Sequence, residues 1–218
     1  MSRLLPVLSL AALLPLAGCQ TPSPPPTAAR PSVVLEEPEE WRSAASDADA
    51  AMLEALPATW TQALSETRRR YGRAIAAEGE LLEPQTRLPR ADPAPGPYRC
   101  RAVRIGARVP SVRPWSTTRT GFCYVGVEDD QLSLSSEIPG LRFGGYLFTG
   151  KEKNRLVFLG ASTPARARTA IAYGENAAAD RAGFVERIGI FRYRLVLPAR
   201  EGDARLTVVE MVAAPDPE

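Results

Sequence analysis

"GFVERIGIFRYRLVLP", residues Gly183–Pro198, holds two β-like segments back to back, "GFVERIG" and "IFRYRLVLP". In "FRYRL" the residues alternate. Phe191, Tyr193 and Leu195 fall on one face of a strand, Arg192 and Arg194 on the other, because successive strand side chains point to opposite faces. Segments of the same kind recur throughout the C-terminal half: "YRCRAVRIG", "GFCYVGVE", "QLSLSSE", "RFGGYLF", "NRLVFLG", "ARTAIAYG" and "ARLTVVEMV". Turn signals separate most of them, among them "VEDDQ", "IPG", "TGKEKN" and "PAREGDA". The connections are too short for parallel crossovers. Residues 98–213 therefore predict an antiparallel β-domain of about eight or nine strands, a barrel or a sandwich.

Upstream of this domain, residues 84–97 form a proline-rich connector, and residues 41–83 read as a helical element. Ser46 suits an N-cap, with Asp49 in the first turn. Met52, Leu53, Leu56, Trp60, Ala63, Leu64, Thr67 and Tyr71 recur at steps of three and four, an apolar packing stripe. Pro57 interrupts it, with Thr59 as a candidate new cap. Gly72 and Gly79 weaken its later part, so two or three helical pieces are expected. The fold class is α+β: a helical element followed by an antiparallel barrel-like or sandwich domain.

The N-terminus carries an address. Arg3 precedes the apolar run "LLPVLSLAALLPLA", which is too short to span a bilayer, since that takes about 20 apolar residues. A short basic start and a short apolar core describe a secretory signal, residues 1–18. Its end, Leu16-Ala17-Gly18-Cys19, resembles the lipobox of bacterial lipoproteins, in which the cysteine is acylated after cleavage in front of it. Cys19 is accordingly the expected lipid anchor, with the bilayer as its partner. Residues 19–40 then form a proline-rich tether. Gln20 rather than Asp after the cysteine favours the outer over the inner membrane, so the expected location is the periplasm-facing envelope.

Arginine outnumbers lysine by 25 to 2, and without residues 1–18 the chain is close to neutral. A GC-rich genome accounts for this, so arginine frequency is no sign of nucleic-acid binding, and no nucleic-acid partner is expected. The segments "GPYRCRAVRIG", "RFGGYLF…RLVFLG" and "YGENAAADRAGFVERIGIFRYRLVLP" together resemble domain of unknown function 4893, a family of bacterial exported proteins, over Trp41 to Val212. The family implies no catalytic residues. At the level of architecture, a short barrel after Gly96-Pro97-Tyr98-Arg99-Cys100 is also similar to small periplasmic inhibitor and lipocalin-like barrels.

The chain has no histidine. This removes the usual general base, the serine and cysteine triads, and the commonest zinc ligand. Neither a cofactor nor a metal is expected. Cys100 and Cys123 remain once Cys19 is lipidated. In an oxidising compartment a structural disulfide is the expectation over two free thiols, because their spacing is not Cys-x-x-Cys. Lys151 and Lys153 sit in a charged turn where burial is not expected. The carboxylates Glu175, Asp180 and Glu186 form a cluster that would suit glycoside cleavage. Asp180 and Glu186 each have an arginine next in sequence, which would lower rather than raise a carboxyl pKa.

Two segments are candidates for binding. Arg99 to Arg119 holds six arginines and no acid, with Trp115 among them, a pattern suited to phosphate or carboxylate anions of the envelope or to a solvated loop. "YGENAAADRAGFVERIG" offers Tyr173, Glu175, Asp180, Arg181, Glu186 and Arg187, either as a polar binding site or as a turn packed over a barrel end. The expected function is a non-catalytic binding or envelope-interaction protein, with an anion, a glycan or a protein as partner. The alternatives are a periplasmic hydrolase inhibitor and a carboxylate-dependent cell-wall hydrolase.

Overall fold

The computed structural model describes residues 40–164, 166–167, 169–199 and 204–214. The signal segment, Cys19 and nearly all of the tether lie outside the described residues. The described residues begin with three α-helices, α1 (Glu40–Ala44), α2 (Asp47–Glu54) and α3 (Leu56–Glu78), and a 3-10 turn at Gly79–Leu81. Ser46 caps α2: its hydroxyl accepts from the Asp49 amide at 3.2 Å and donates to the Asp49 carboxylate at 2.8 Å. Pro57 stands in the first turn of α3, where a missing amide costs nothing, so it starts the helix rather than kinking it. The new cap is Ala55, not Thr59, whose hydroxyl donates to the Ala55 carbonyl. The kink falls at Tyr71, whose φ of −123° and ψ of 28° leave the helical region.

Nine strands follow: β1 (Gly96–Ala107), β2 (Trp115–Thr117), β3 (Gly121–Glu128), β4 (Gln131–Ile138), β5 (Leu141–Thr149), β6 (Arg155–Ser162), β7 (Asp180–Gly189), β8 (Arg192–Pro198) and β9 (Ala204–Ala213). Eight of them, all but β2, run antiparallel in chain order, and β9 pairs back onto β1 from Tyr98–Ala213 to Ala107–Ala204. The sheet is thus a closed barrel, not a sandwich, and the β1–β9 pairing joins the first and last of its eight strands. β2 is an extra strand laid along β1 beside Val103–Ile105. The structure differs from the sequence pattern in two places: Trp115–Thr117, within the expected basic loop, form a strand, and "ARTAIAYG", expected as a strand, contains none among its described residues.

Two cores meet at the barrel wall. The interior core holds Tyr98, Phe143, Phe158, Tyr193, Leu195 and Met211, with Phe143 and Phe158 edge to face at 5.5 Å. The outer core packs the helical stripe, including Leu53, Leu56, Trp60, Ala63 and Leu64, onto Val103, Val157, Phe184, Val196 and Val208. β6, β7 and β8 are therefore buried on both faces, which is why "RLVFLGA" and "YRLVLP" are nearly continuous buried runs. The outer face of β3 is not covered by helix, and Phe122 and Tyr124 stand exposed on it. Cys100 on β1 and Cys123 on β3 form a disulfide inside the barrel.

The barrel ends differ. The connector crosses the end where β1 begins. Its Ala91 enters the interior core, Leu88 bridges Arg187, and the Tyr98 hydroxyl donates to the Ala94 carbonyl at 2.7 Å. Burial pushes the Tyr98 phenol up to about 12. At the opposite end α3 comes close to β1. Gly106, with φ +71°, has no room for a side chain between Ala63 and Arg205, and its amide donates to the buried Thr67 hydroxyl at 2.9 Å.

Candidate functional site

The segment from Tyr173 to Gly189 does not form one cluster. Its first part lies in the long β6–β7 connection. The Tyr173 hydroxyl donates to the Asp49 carboxylate and accepts from the Ser46 amide, which ties this connection to the cap of α2. Burial, and then the bond to Asp49, raise the Tyr173 pKa. Glu175 is exposed and accepts from the Ala172 amide. Asp180 is buried, and its carboxylate accepts from the amide of Gly174, a residue at φ +88°. Arg181 donates to the carbonyls of Ala178 and Asp180.

Glu186 and Arg187, further along β7, point to opposite sides of the strand. Arg187 is half-buried, its carbonyl holds the connector through the Leu88 amide, and its Nε is buried without a hydrogen-bond partner. Glu186 lies on the outer face under the helical layer. Its partner is not its sequence neighbour but Arg194, directly across on β8, with Oε2 2.6 Å from Nη2 and 2.8 Å from Nε. Burial raises the Glu186 pKa against the pull of Arg194, Arg87 and Arg155, so reading its charge from Arg187 gave the wrong direction. Arg194 is fully buried. Its Nη1 donates to the carbonyls of Glu80, Leu81 and Glu83, its Nη2 to those of Pro84 and Thr86, and the guanidinium sits 4.6 Å above the Trp60 ring. These carbonyls belong to the 3-10 turn after α3 and the chain just beyond it, where helical bonding has run out. The pair is a structural clasp.

A cavity of about 1460 Å³ opens at the barrel end opposite the connector. Ile138, Leu141 and Leu197 form an apolar floor continuous with the interior core. Arg104, Arg113, Arg142 and Arg181 line it, and Glu137 is the one carboxylate among the lining residues. Arg104 lies near the end of β1 and makes one long bond, 3.4 Å, to the Gly140 carbonyl. Arg113 is exposed in the β1–β2 loop. β2 places Trp115 on the wall, where it stacks on Tyr71 with ring centroids 6.3 Å apart. Tyr71 is the residue at which α3 kinks.

The basic stretch Arg99–Arg119 is thus divided. Arg101 faces the helices and pairs with Glu78 and Glu210, Arg108 donates to the Ala199 carbonyl, and Arg104, Arg113 and Trp115 reach the mouth. Arg142, Asn176 and Arg181 join them from β5 and the β6–β7 region, and no sequence spacing relates these positions. Among the described residues, no group of three or more cysteines, aspartates or glutamates could hold a metal ion. Lys151 and Lys153 are both exposed in the β5–β6 turn.

No curated protein and no solved structure matches the chain. A family model described as "Domain of unknown function (DUF4893)" matches residues 41–211, from α1 to the last residues of β9, and the chain belongs to that family.

Proposed function

We propose that this is a lipid-anchored, periplasm-facing envelope protein without catalytic activity, and that its barrel mouth binds an anionic envelope ligand. The observation that carries the reading is the mouth itself: four arginines and Trp115 around an apolar floor, with one carboxylate in the lining. Guanidinium groups hold phosphate and carboxylate through paired, charge-assisted hydrogen bonds, and an apolar floor accepts the body of an amphiphile. The Cys100–Cys123 disulfide suits an oxidising compartment.

Two observations favour binding over hydrolysis. Glu186 is engaged by Arg194. Asp180 and Glu186 lie six residues apart along one strand, about 20 Å at strand rise. A glycosidase pair needs a separation of about 5–10 Å.

The test uses the mature chain with thermal melting and calorimetry against lipopolysaccharide, phosphatidylglycerol and muropeptides. One of these anions raises the melting temperature, and Arg104→Ala with Arg113→Ala weakens that binding about tenfold or more while leaving the fold intact. Binding that is indifferent to both substitutions, or no binding to any anion, would remove the mouth as the site.

A further inference from the structure

The β7–β8 turn exposes two large apolar residues that its surroundings do not call for, and one of them sits in a backbone conformation that disfavours it. Ile190 and Phe191 are the two residues between the paired Gly189 and Arg192. Tight hairpin turns favour Asn-Gly, Asp-Gly or Gly-Gly, because they need residues that tolerate positive φ. Phe191 has φ +53°, the left-handed region, where a bulky side chain is an outlier. Packing does not explain the choice, since Ile190 is 88% and Phe191 64% exposed. β9 holds the turn through its Ala213 amide, which donates to the Phe191 carbonyl at 3.0 Å. The next residue in the chain, Arg192, is held by Glu210 and Glu80. Val212, across from Arg192, adds further exposed apolar surface. An outward-pointing apolar pair, with Phe191 held in a strained backbone conformation, points to use rather than to folding.

We propose that Ile190 and Phe191 insert into the bilayer to which the chain is tethered. The inference rests on the anchored reading above. Adjacent hairpin turns alternate between the two ends of such a barrel, so the β5–β6 and β7–β8 turns share one end. The described chain also starts there: Trp41 and Arg42 of α1 line a small cavity with Gly150, Lys151 and Glu152 of the β5–β6 turn. Cys19 and Glu40 are 21 positions apart. Fully extended this stretch reaches at most about 75 Å, so a lipid at Cys19 leaves the tip within range of the same membrane. Tethering raises the local concentration of the bilayer seen by the tip to the millimolar range, so that a two-residue contact is populated. The contact is apolar and needs no anionic lipid.

The experiment labels Ile190→Cys with an environment-sensitive nitrobenzoxadiazole dye, Cys100 and Cys123 being bridged. It compares the lipidated mature protein with a chain in which a hexahistidine tag replaces Cys19 on phosphatidylcholine vesicles containing nickel-chelating lipid. Ser111→Cys, in the loop at the other end, is the control. Emission at position 190 rises several-fold and shifts to the blue in both preparations, and that at 111 does not. A response in the tagged chain alone would refute the anchor and keep the tip. Solvent-like emission at 190 in the tagged chain on vesicles would overturn the proposal, and would be the outcome if the tip served a protein partner. As a second check, Ile190→Asn with Phe191→Gly abolishes the response of a dye at Val212→Cys without lowering the melting temperature. A persisting response there would equally overturn it.

Discussion

Arg194 reads in the sequence as an outward arginine of an alternating strand, and in the structure it is fully buried and bonded to Glu186 and five carbonyls. The alternation itself is present: Tyr193 and Leu195 enter the interior, and Arg192 and Arg194 leave it. Phe191 departs from the pattern because it is a turn residue. What the pattern lacks is the helical layer over this face. Five N–H donors let Arg194 meet Glu186 and the five carbonyls at the end of the helical element, a geometry that an ammonium cannot reproduce. Removing one partner leaves the other buried and uncompensated. Glu186→Gln and Arg194→Lys should each lower unfolding free energy in denaturant titrations by about 3–5 kcal/mol. Replacing both by methionine should cost less than the two single losses added together. A stable Glu186→Gln protein that had lost a measurable hydrolytic turnover would instead return Glu186 to catalysis.

At the scale of elements, "RFGGYLF" shows how two neighbouring glycines serve different purposes. Gly145 faces the interior opposite Gly160, and a Cβ there would lie 2.2 Å from the Leu159 carbonyl oxygen and 2.4 Å from the Gly160 Cα. Gly144, pointing outward, has nothing within 4 Å. Gly145→Ala should therefore destabilise by about 1–3 kcal/mol, through forced separation of β5 and β6. Gly144→Ala should be neutral or gain up to about 1 kcal/mol by restricting the unfolded chain. Thermal melting of the pair decides it, and equal losses would refute the account. The misread elements have similar causes. β2 is three residues long and exists because β1 offers it a partner, so no periodicity marks it. "ARTAIAYG" alternates, but its alanines bring little strand preference, and Tyr173 is drawn to the α2 cap instead.

At the scale of the whole molecule, the proposed anchor rests on the order of residues 1–19 and not on packing. Cys19→Ser should release the protein from the membrane fraction or leave the signal uncut. Processing and fractionation unchanged from the original would end the lipoprotein reading. The number and direction of most strands, the helical stripe and the pairing of Cys100 with Cys123 were legible in the sequence. Each depends on local periodicity, turn chemistry or residue type. Closure of the barrel and the assembly of its mouth were decided by tertiary structure alone. The β1–β9 ladder joins residues more than a hundred positions apart, such as Tyr98 and Ala213, and hydrogen-bonding complementarity of two strand edges leaves no trace in side-chain order. The mouth gathers Arg104, Arg113, Arg142 and Arg181 from separate parts of the sheet and its loops. Which face of each strand the helices cover then determines whether an arginine is a solvated charge, as the sequence pattern suggests, or the buried clasp that Arg194 becomes.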